Sequence, residues 1–212
     1  MIVAQVFFED IDNEKNKEIF KNYLRGKDLM FVGVGTTKAH LDSCGPKICS
    51  KLKRDNLTVF GTVEDQFHGT NIERKINVLN DVYKNKFKIA IDSCVSEAKE
   101  VNSIILDNEG LKPGAGMNKI FPRVGDFSLK IVMSDSANEI IKYTTTSNCE
   151  VNELKKVLDR VDRAVQKTYT FIMMCLRELE NEMKLKKWSW KKIFKLLLFF
   201  RKKYIINIYK GK

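Results

Sequence analysis

The chain has 212 residues, 43% of them hydrophobic, which is enough to bury one sizeable core and argues against intrinsic disorder. Its formal net charge is +11, yet of the 38 Lys and Arg side chains 11 lie in residues 184–212, which hold no Asp or Glu; residues 1–183 keep the other 27, matched by all 27 acidic residues. The body is formally neutral, so the basic total gives no reason to expect nucleic acid as its partner and belongs to the tail alone.

From the N-terminus, Met1 to Asp10 lacks the basic flank and apolar run of a signal peptide. Residues 12–25, with Ile19, Phe20 and Leu24 spaced for one face, predict an amphipathic helix. Asp28 to Val34 predicts a buried strand. Asp42 is placed to cap a helix running to Arg54, with Gly45-Pro46 in its first turn, where proline is tolerated. Leu57 to Gly61 predicts a short strand, followed by a loop containing His68. Asn71 to Asn85 carries Ile72, Ile76, Leu79 and Val82 at helical spacing. Phe87 to Asp92 and Val101 to Leu106 predict further strands, Pro113 to Asn118 a loop, and Phe127 to Met133 another strand. Beyond Asn148, a three-four rhythm of Val151, Leu154, Leu158, Val161, Val165, Ile172, Leu176 and Leu179 predicts one long helix ending near Met183.

This alternation points to an α/β fold, with a mostly parallel central sheet covered on both faces. The last strand pairs are free to run antiparallel, since no helix-length segment separates them. The expected organisation is an α/β domain over residues 1–183, with its long helix at 150–183, and a basic amphipathic tail at 184–212. Five scattered cysteines without a CxxC pair suggest a reducing, cytoplasmic setting. No apolar run reaches the length of a spanning helix.

In a parallel sheet, residues that follow strands gather at the carboxyl edge, where ligands usually bind. By chain order Asp42 follows the first strand, His68 the second, Asp92 ends the third, and the 113–118 loop follows the fourth. Taken singly, Asp42 reads equally well as a helix cap and Asp92 as a strand-end residue. Together they suggest chemistry. Close carboxylates repel, so one should hold a proton, and the pair can offer one base and one acid to a water attacking a peptide carbonyl. Asp42, His68 and Asp92 also match a three-ligand divalent-metal site with an open position, the alternative to a cofactor-free site. Gly114 and Gly116 are either turn residues of a connector or bare amides for substrate backbone and a developing oxyanion. Gly33-x-Gly35 is only a fragment of a dinucleotide fingerprint, because Lys38 stands where its third glycine should be. Cys44 and Cys94 each follow a candidate aspartate by two positions, but no histidine is dedicated to either, and they read as small packed residues.

Val32-Gly33-Val34-Gly35-Thr36-Thr37, Asp42-x-x-Gly45-Pro46, Val59-Phe60-Gly61-Thr62-Val63, His68-x-x-Asn71, Ile91-Asp92, Lys112 to Lys119 and Pro122-x-x-Gly125-Asp126 occur in this order over residues 28–145. In this order they resemble the YyaC family of sporulation proteins. The resemblance implies kinship with the spore germination protease and, more distantly, with the hydrogenase maturation peptidases. It therefore implies a three-layer α/β sandwich of the phosphorylase/hydrolase type. Carried over, the two aspartates held to be catalytic in the germination protease fall on Asp42 and Asp92, and the acidic nickel-binding positions of the hydrogenase peptidases fall on the same pair. His68, Asn71, Gly114, Gly116 and Asn118 are the matching candidates for substrate binding. The implied activity is a sporulation-associated peptidase acting on protein, with small acid-soluble spore proteins as substrates by analogy, in the sporulating cell or spore. Two departures stand out: Ser93-Cys94 replaces the small apolar residues usual after the second aspartate, and Met133 to Asn138 lacks a glycine-rich stretch.

The competing reading is a catalytically inactive binding or scaffold protein of the same fold, directed to a membrane surface by its tail. In the tail, Trp188, Trp190, Phe194, Leu197, Phe200 and Tyr204 are expected to cluster on one side of a helix, opposite Lys191, Lys192, Lys195, Lys202 and Lys203. Such a segment suits an anionic membrane interface, packing on the body or on a second copy, or a nucleic-acid arm.

Overall fold

The structure is a computed structural model that describes residues 1–69, 71–113, 121–143 and 150–209, with the backbone alone at 140–142 and 188–209. Six strands form one sheet: β1 (Ile2–Phe7), β2 (Leu29–Gly33), β3 (Val59–Phe60), β4 (Phe87–Val95), β5 (Ser103–Asp107) and β6 (Phe127–Ser134), in the order β1-β5-β6-β4-β2-β3. β6, β4, β2 and β3 pair in parallel, while β5 pairs antiparallel with both β6 and β1. Five strands thus share one direction and β5 alone is reversed. The helices are α1 (Glu14–Leu24), α2 (Cys44–Arg54), α3 (Ile72–Val82), α4 (Ala137–Lys142) and α5 (Val151–Tyr209).

Alternation along the strands builds a core on each face. Phe31, Ile89, Ile91, Leu129 and Ile131 pack with residues of α1, α2 and α5. Met30, Val32 and Ala90, offset by one position, pack with Ile72, Ile76 and Leu79 of α3 and with Leu111 and Val124. The predicted mostly parallel α/β sandwich is the fold observed. α1 starts where Asn13 Oδ1 accepts the Asn16 N–H at 3.2 Å, an N-cap that satisfies one of the free amides of the first turn. Phe20 of α1 stacks on Phe171 of α5 with ring centroids 5.5 Å apart and meets Phe127 of β6 at 5.6 Å.

Charge completes that contact. Lys17 and Lys21 are buried, 4% and 6% exposed, and both reach Glu178 of α5, at 2.6 and 2.8 Å. Lys21 and Arg25 also meet Glu182, at 3.1 and 3.0 Å. Glu178→Ala takes the shared partner from two buried ammonium groups and is expected to destabilise the fold by about 2 kcal/mol. Urea unfolding checks this, with a lower midpoint at unchanged slope expected and partial recovery in Glu178→Gln.

Several elements differ from expectation, among them α4, for which no helix is expected. β1 was not predicted; it lies at the sheet edge and pairs with β5. α5 runs unbroken past Met183 to Tyr209, because no Gly or Pro interrupts residues 151–209 and a change of charge does not stop a helix. Residue 42 is not a helix cap: it ends a short 3-10 turn, His40–Asp42, and Ser43 takes the cap position of α2 without a side-chain bond. Among the described residues no helix is long and apolar enough to cross a membrane.

Candidate active site

β2 pairs with β4 as far as Gly33 opposite Ile91, and the Val34 N–H then reaches the Ile91 carbonyl at 2.8 Å. Asp92 is the next residue of β4, still paired with Lys130 of β6. It therefore stands where β2 has left the sheet and β4 continues, inside its strand and not at the strand's end as predicted. The chain leaving β2 turns at Gly35, whose φ of +125° and whose closeness to the Asp42 carbonyl (an added Cβ would lie 2.0 Å from it) both require glycine. That turn aims the Thr36 N–H at Asp42 Oδ2, 2.9 Å away.

α2 enters the site just as closely. A Cβ on Gly45 would stand 2.3 Å from the Val34 carbonyl oxygen and 2.4 Å from that of Ile91, so the start of α2 rests on the backbone of both strands. Asp42, three residues earlier, is held at the same edge as Asp92. Burial pushes the Asp42 carboxyl up to about 6, against the lowering effect of the Thr36 N–H. Burial also raises Asp92 well above the usual carboxylate range, and the charge of Asp42 raises it further. The two carboxyls interact, and at neutral pH the arrangement favours a proton on Asp92 and a charge on Asp42.

The β3–α3 loop braces this edge. Gln66 Oε1 accepts from Thr36 Oγ1 at 2.9 Å and from the Thr37 N–H at 3.0 Å, and the Gly35 N–H reaches the Phe67 carbonyl at 2.8 Å. Asn71 locks the loop from within: its Oδ1 accepts the His68 N–H at 3.1 Å and its Nδ2 donates to the Gln66 carbonyl at 3.0 Å. Asn71, expected as a substrate ligand, is thus engaged at both ends in holding the loop. Gln66, which no spacing rule singled out, joins it to the Asp42 turn. His68 is half-buried beside them, and burial, Lys38 and Lys75 lower its pKa.

Two expectations need correction. Among the described residues no group of three or more His, Cys, Asp or Glu side chains is placed to hold a metal ion, so Asp42, His68 and Asp92 do not assemble into the three-ligand site; His68 belongs to the bracing loop. Strand direction also does not bring the 113–118 loop to the aspartate edge. That loop follows β5, the reversed strand, so Asp107 leaves the sheet at the opposite edge. Gly114, Gly116 and Asn118 themselves lie outside the described residues. A groove of about 770 Å³ lies away from the aspartates, between the amino ends of β2 and β3 and α5, where Leu29, Leu57, Met173, Leu176 and Met183 line it.

His40, which the spacing left without a role, shares the 3-10 turn with Asp42, and its Nε2 is buried without a hydrogen-bond partner among the described residues. The packed-residue reading of the thiols fits: burial pushes both Cys44 and Cys94 up to about 12, far from a reactive thiolate at neutral pH.

The family described as "Protein of unknown function (DUF1256)" matches residues 7–164. The chain belongs to this family. The curated "Uncharacterized protein YyaC" of Bacillus subtilis (strain 168) is 37% identical over 130 residues, 60% of this chain and 62% of that protein; the match therefore spans less than two thirds of the relative's length. The YyaC resemblance of the DUF1256 motifs is thus a family relationship. Among solved structures, a peptidyl-tRNA hydrolase from Acinetobacter baumannii aligns over 71% of this chain and 93% of its own, at 14% identity and a TM-score of 0.40; a likeness at that level carries nothing about this member of DUF1256.

Proposed function

We propose that this DUF1256 protein is a peptidase that hydrolyses peptide bonds with Asp42 and Asp92 as its acid–base pair. The observation that carries the reading is the meeting of two raised, interacting carboxyls at the carboxyl edge of parallel strands. Ionised Asp42 accepts a proton from water as the water attacks the scissile carbonyl. Protonated Asp92 donates to the carbonyl oxygen, and proton return to the amine completes the cleavage. The Thr36 N–H holds Asp42 in place, and Gln66 holds Thr36. The substrate class, spore protein, comes from the family resemblance and not from the site.

The test is cleavage of an extract of small acid-soluble spore proteins by the full chain, by Asp42→Asn and by Asp92→Asn. Wild type is expected to cleave and both variants to fail; equal cleavage by all three removes the proposed roles. The pH profile of the wild type is expected to rise through about 6 as Asp42 loses its proton and to fall at higher pH as Asp92 loses the proton it must donate. A profile flat from pH 5 to 7 would contradict Asp42 as the base.

A further inference from the structure

The last part of α5 has no use in the reading above. Among the described side chains of α5 the last buried one is Leu179 and the last ion pair to α1 is made by Glu182; residues 183–187 are all exposed, with Met183 and Leu185 at 55% and 66%. The backbone nevertheless stays helical to Tyr209, adding an arm of roughly 40 Å at ~1.5 Å per residue. On a helical projection Trp190, Ile193, Leu197, Phe200, Tyr204 and Ile208 fall within an arc of roughly 80°, and Lys184, Lys191, Lys195 and Lys202 fall on the opposite side, which also carries Trp188, Phe199 and Ile206. Lys186 falls inside the apolar arc and Arg201 at its border.

We propose that this arm, residues 184–209, is a peripheral anchor that lies along an anionic lipid surface. A helix with an apolar stripe, flanking aromatics and eleven cations over 184–212 without one acid matches the bilayer interface in both its parts: the stripe enters the acyl boundary and the cations meet lipid phosphates. Spanning is excluded by length, because the longest apolar run of the arm, Leu196 to Phe200, is closed by Lys195 and Arg201, whereas a span needs about 20 such residues. Nucleic acid would use the charge but not Ile193, Leu197 and Ile208, since bases stack on aromatic rings and not on aliphatic side chains.

The chain carries its own reporter. Its two tryptophans, Trp188 and Trp190, both lie in the arm, so tryptophan emission of the full-length protein reads this segment directly. Titration with phosphatidylglycerol-containing vesicles is expected to shift the emission to the blue, and vesicles of phosphatidylcholine alone are not. Lys191→Gln with Lys195→Gln is expected to weaken binding roughly 30-fold, about five-fold per cation removed. Leu197→Asp with Phe200→Asp is expected to abolish it, with the melting temperature of the body unchanged. Failure to shift with anionic vesicles, equal affinity for both vesicle types, or tighter binding to a single-stranded oligonucleotide than to the anionic vesicles would each overturn the proposal. These outcomes are independent of cleavage, since none involves Asp42 or Asp92.

Discussion

Asp42→Asn is expected to make the protein more stable at neutral pH while lowering peptide cleavage by about 10²–10⁴-fold, the usual contribution of a positioned acid or base. The stability gain follows from linkage. In the unfolded chain Asp42 titrates near its ordinary 3.8, and in the fold at about 6. Below pH 4 both states hold the proton and the aspartate costs nothing. Between pH 4 and 6 the unfolded chain releases its proton while the fold retains it, so stability falls as pH rises and then levels off above 6. The accumulated cost is about 3 kcal/mol at roughly 1.4 kcal/mol per pH unit, equivalent to roughly 6–12 °C in melting temperature for a chain of this size. Asparagine removes the charge and keeps an oxygen to accept the Thr36 N–H. Calorimetry of wild type and Asp42→Asn at pH 4 and pH 7.5 should therefore show a gap that opens only at the higher pH. Asp92→Asn should move the same way, because burial and the Asp42 charge disfavour its ionised form. A wild type as stable as both variants at pH 7.5 would mean that the carboxyls are not under the stress described.

Gly45→Ala should be among the most damaging single-methyl changes this fold can suffer. The added carbon would meet the Val34 and Ile91 carbonyl oxygens at 2.3 and 2.4 Å and the Val34 nitrogen at 2.9 Å. All three are backbone atoms of paired strands, so no side chain can swing away to relieve the contact. Either α2 lifts from the sheet, emptying the packing of Ile48, Cys49 and Leu52, or β2 and β4 part. A loss of about 3–5 kcal/mol is expected, read as the urea midpoint against Lys53→Ala, an exposed change in the same helix expected to stay within ~0.5 kcal/mol. Because Asp42 ends the 3-10 turn that leads directly into this helix, the surviving folded fraction should also cleave poorly.

Most of the parallel sheet was legible in the chain. Buried parallel strands are short apolar runs bounded by turns, and Leu29–Gly33, Phe87–Val95 and Phe127–Ser134 announce themselves that way. Chain order then suffices to bring Asp42 to the edge where Asp92 stands, since the one follows β2 and the other lies in the carboxyl half of β4, a strand of the same sense. The same reasoning misplaced the 113–118 loop, because an apolar run such as Ser103–Asp107 looks alike in either direction and its reversal is decided by its partners β1 and β6. β1 escaped notice for a related reason: its pairing partner lies about a hundred residues away, beyond any local pattern. Asp42 as a helix cap was a fair local reading, since aspartate often caps. Tertiary contact with Thr36 outweighed it. Gln66 had no motif to mark it, because its role is to hold another loop and that is visible only in three dimensions.

The lysines of α1 have a consequence for the order in which the chain comes together. Lys17 and Lys21 find Glu178 across 161 and 157 residues of sequence, and β1 pairs in the sheet with β5. During synthesis the first two elements therefore emerge long before their neighbours exist. β1 must wait for β5, and α1 for Glu178 of α5, holding until then only the local pairs Lys17–Glu14 and Lys21–Glu18. Folding of this protein should be a closing event, in which the earliest-made segment is among the last to settle, with slow kinetics set by those distant contacts.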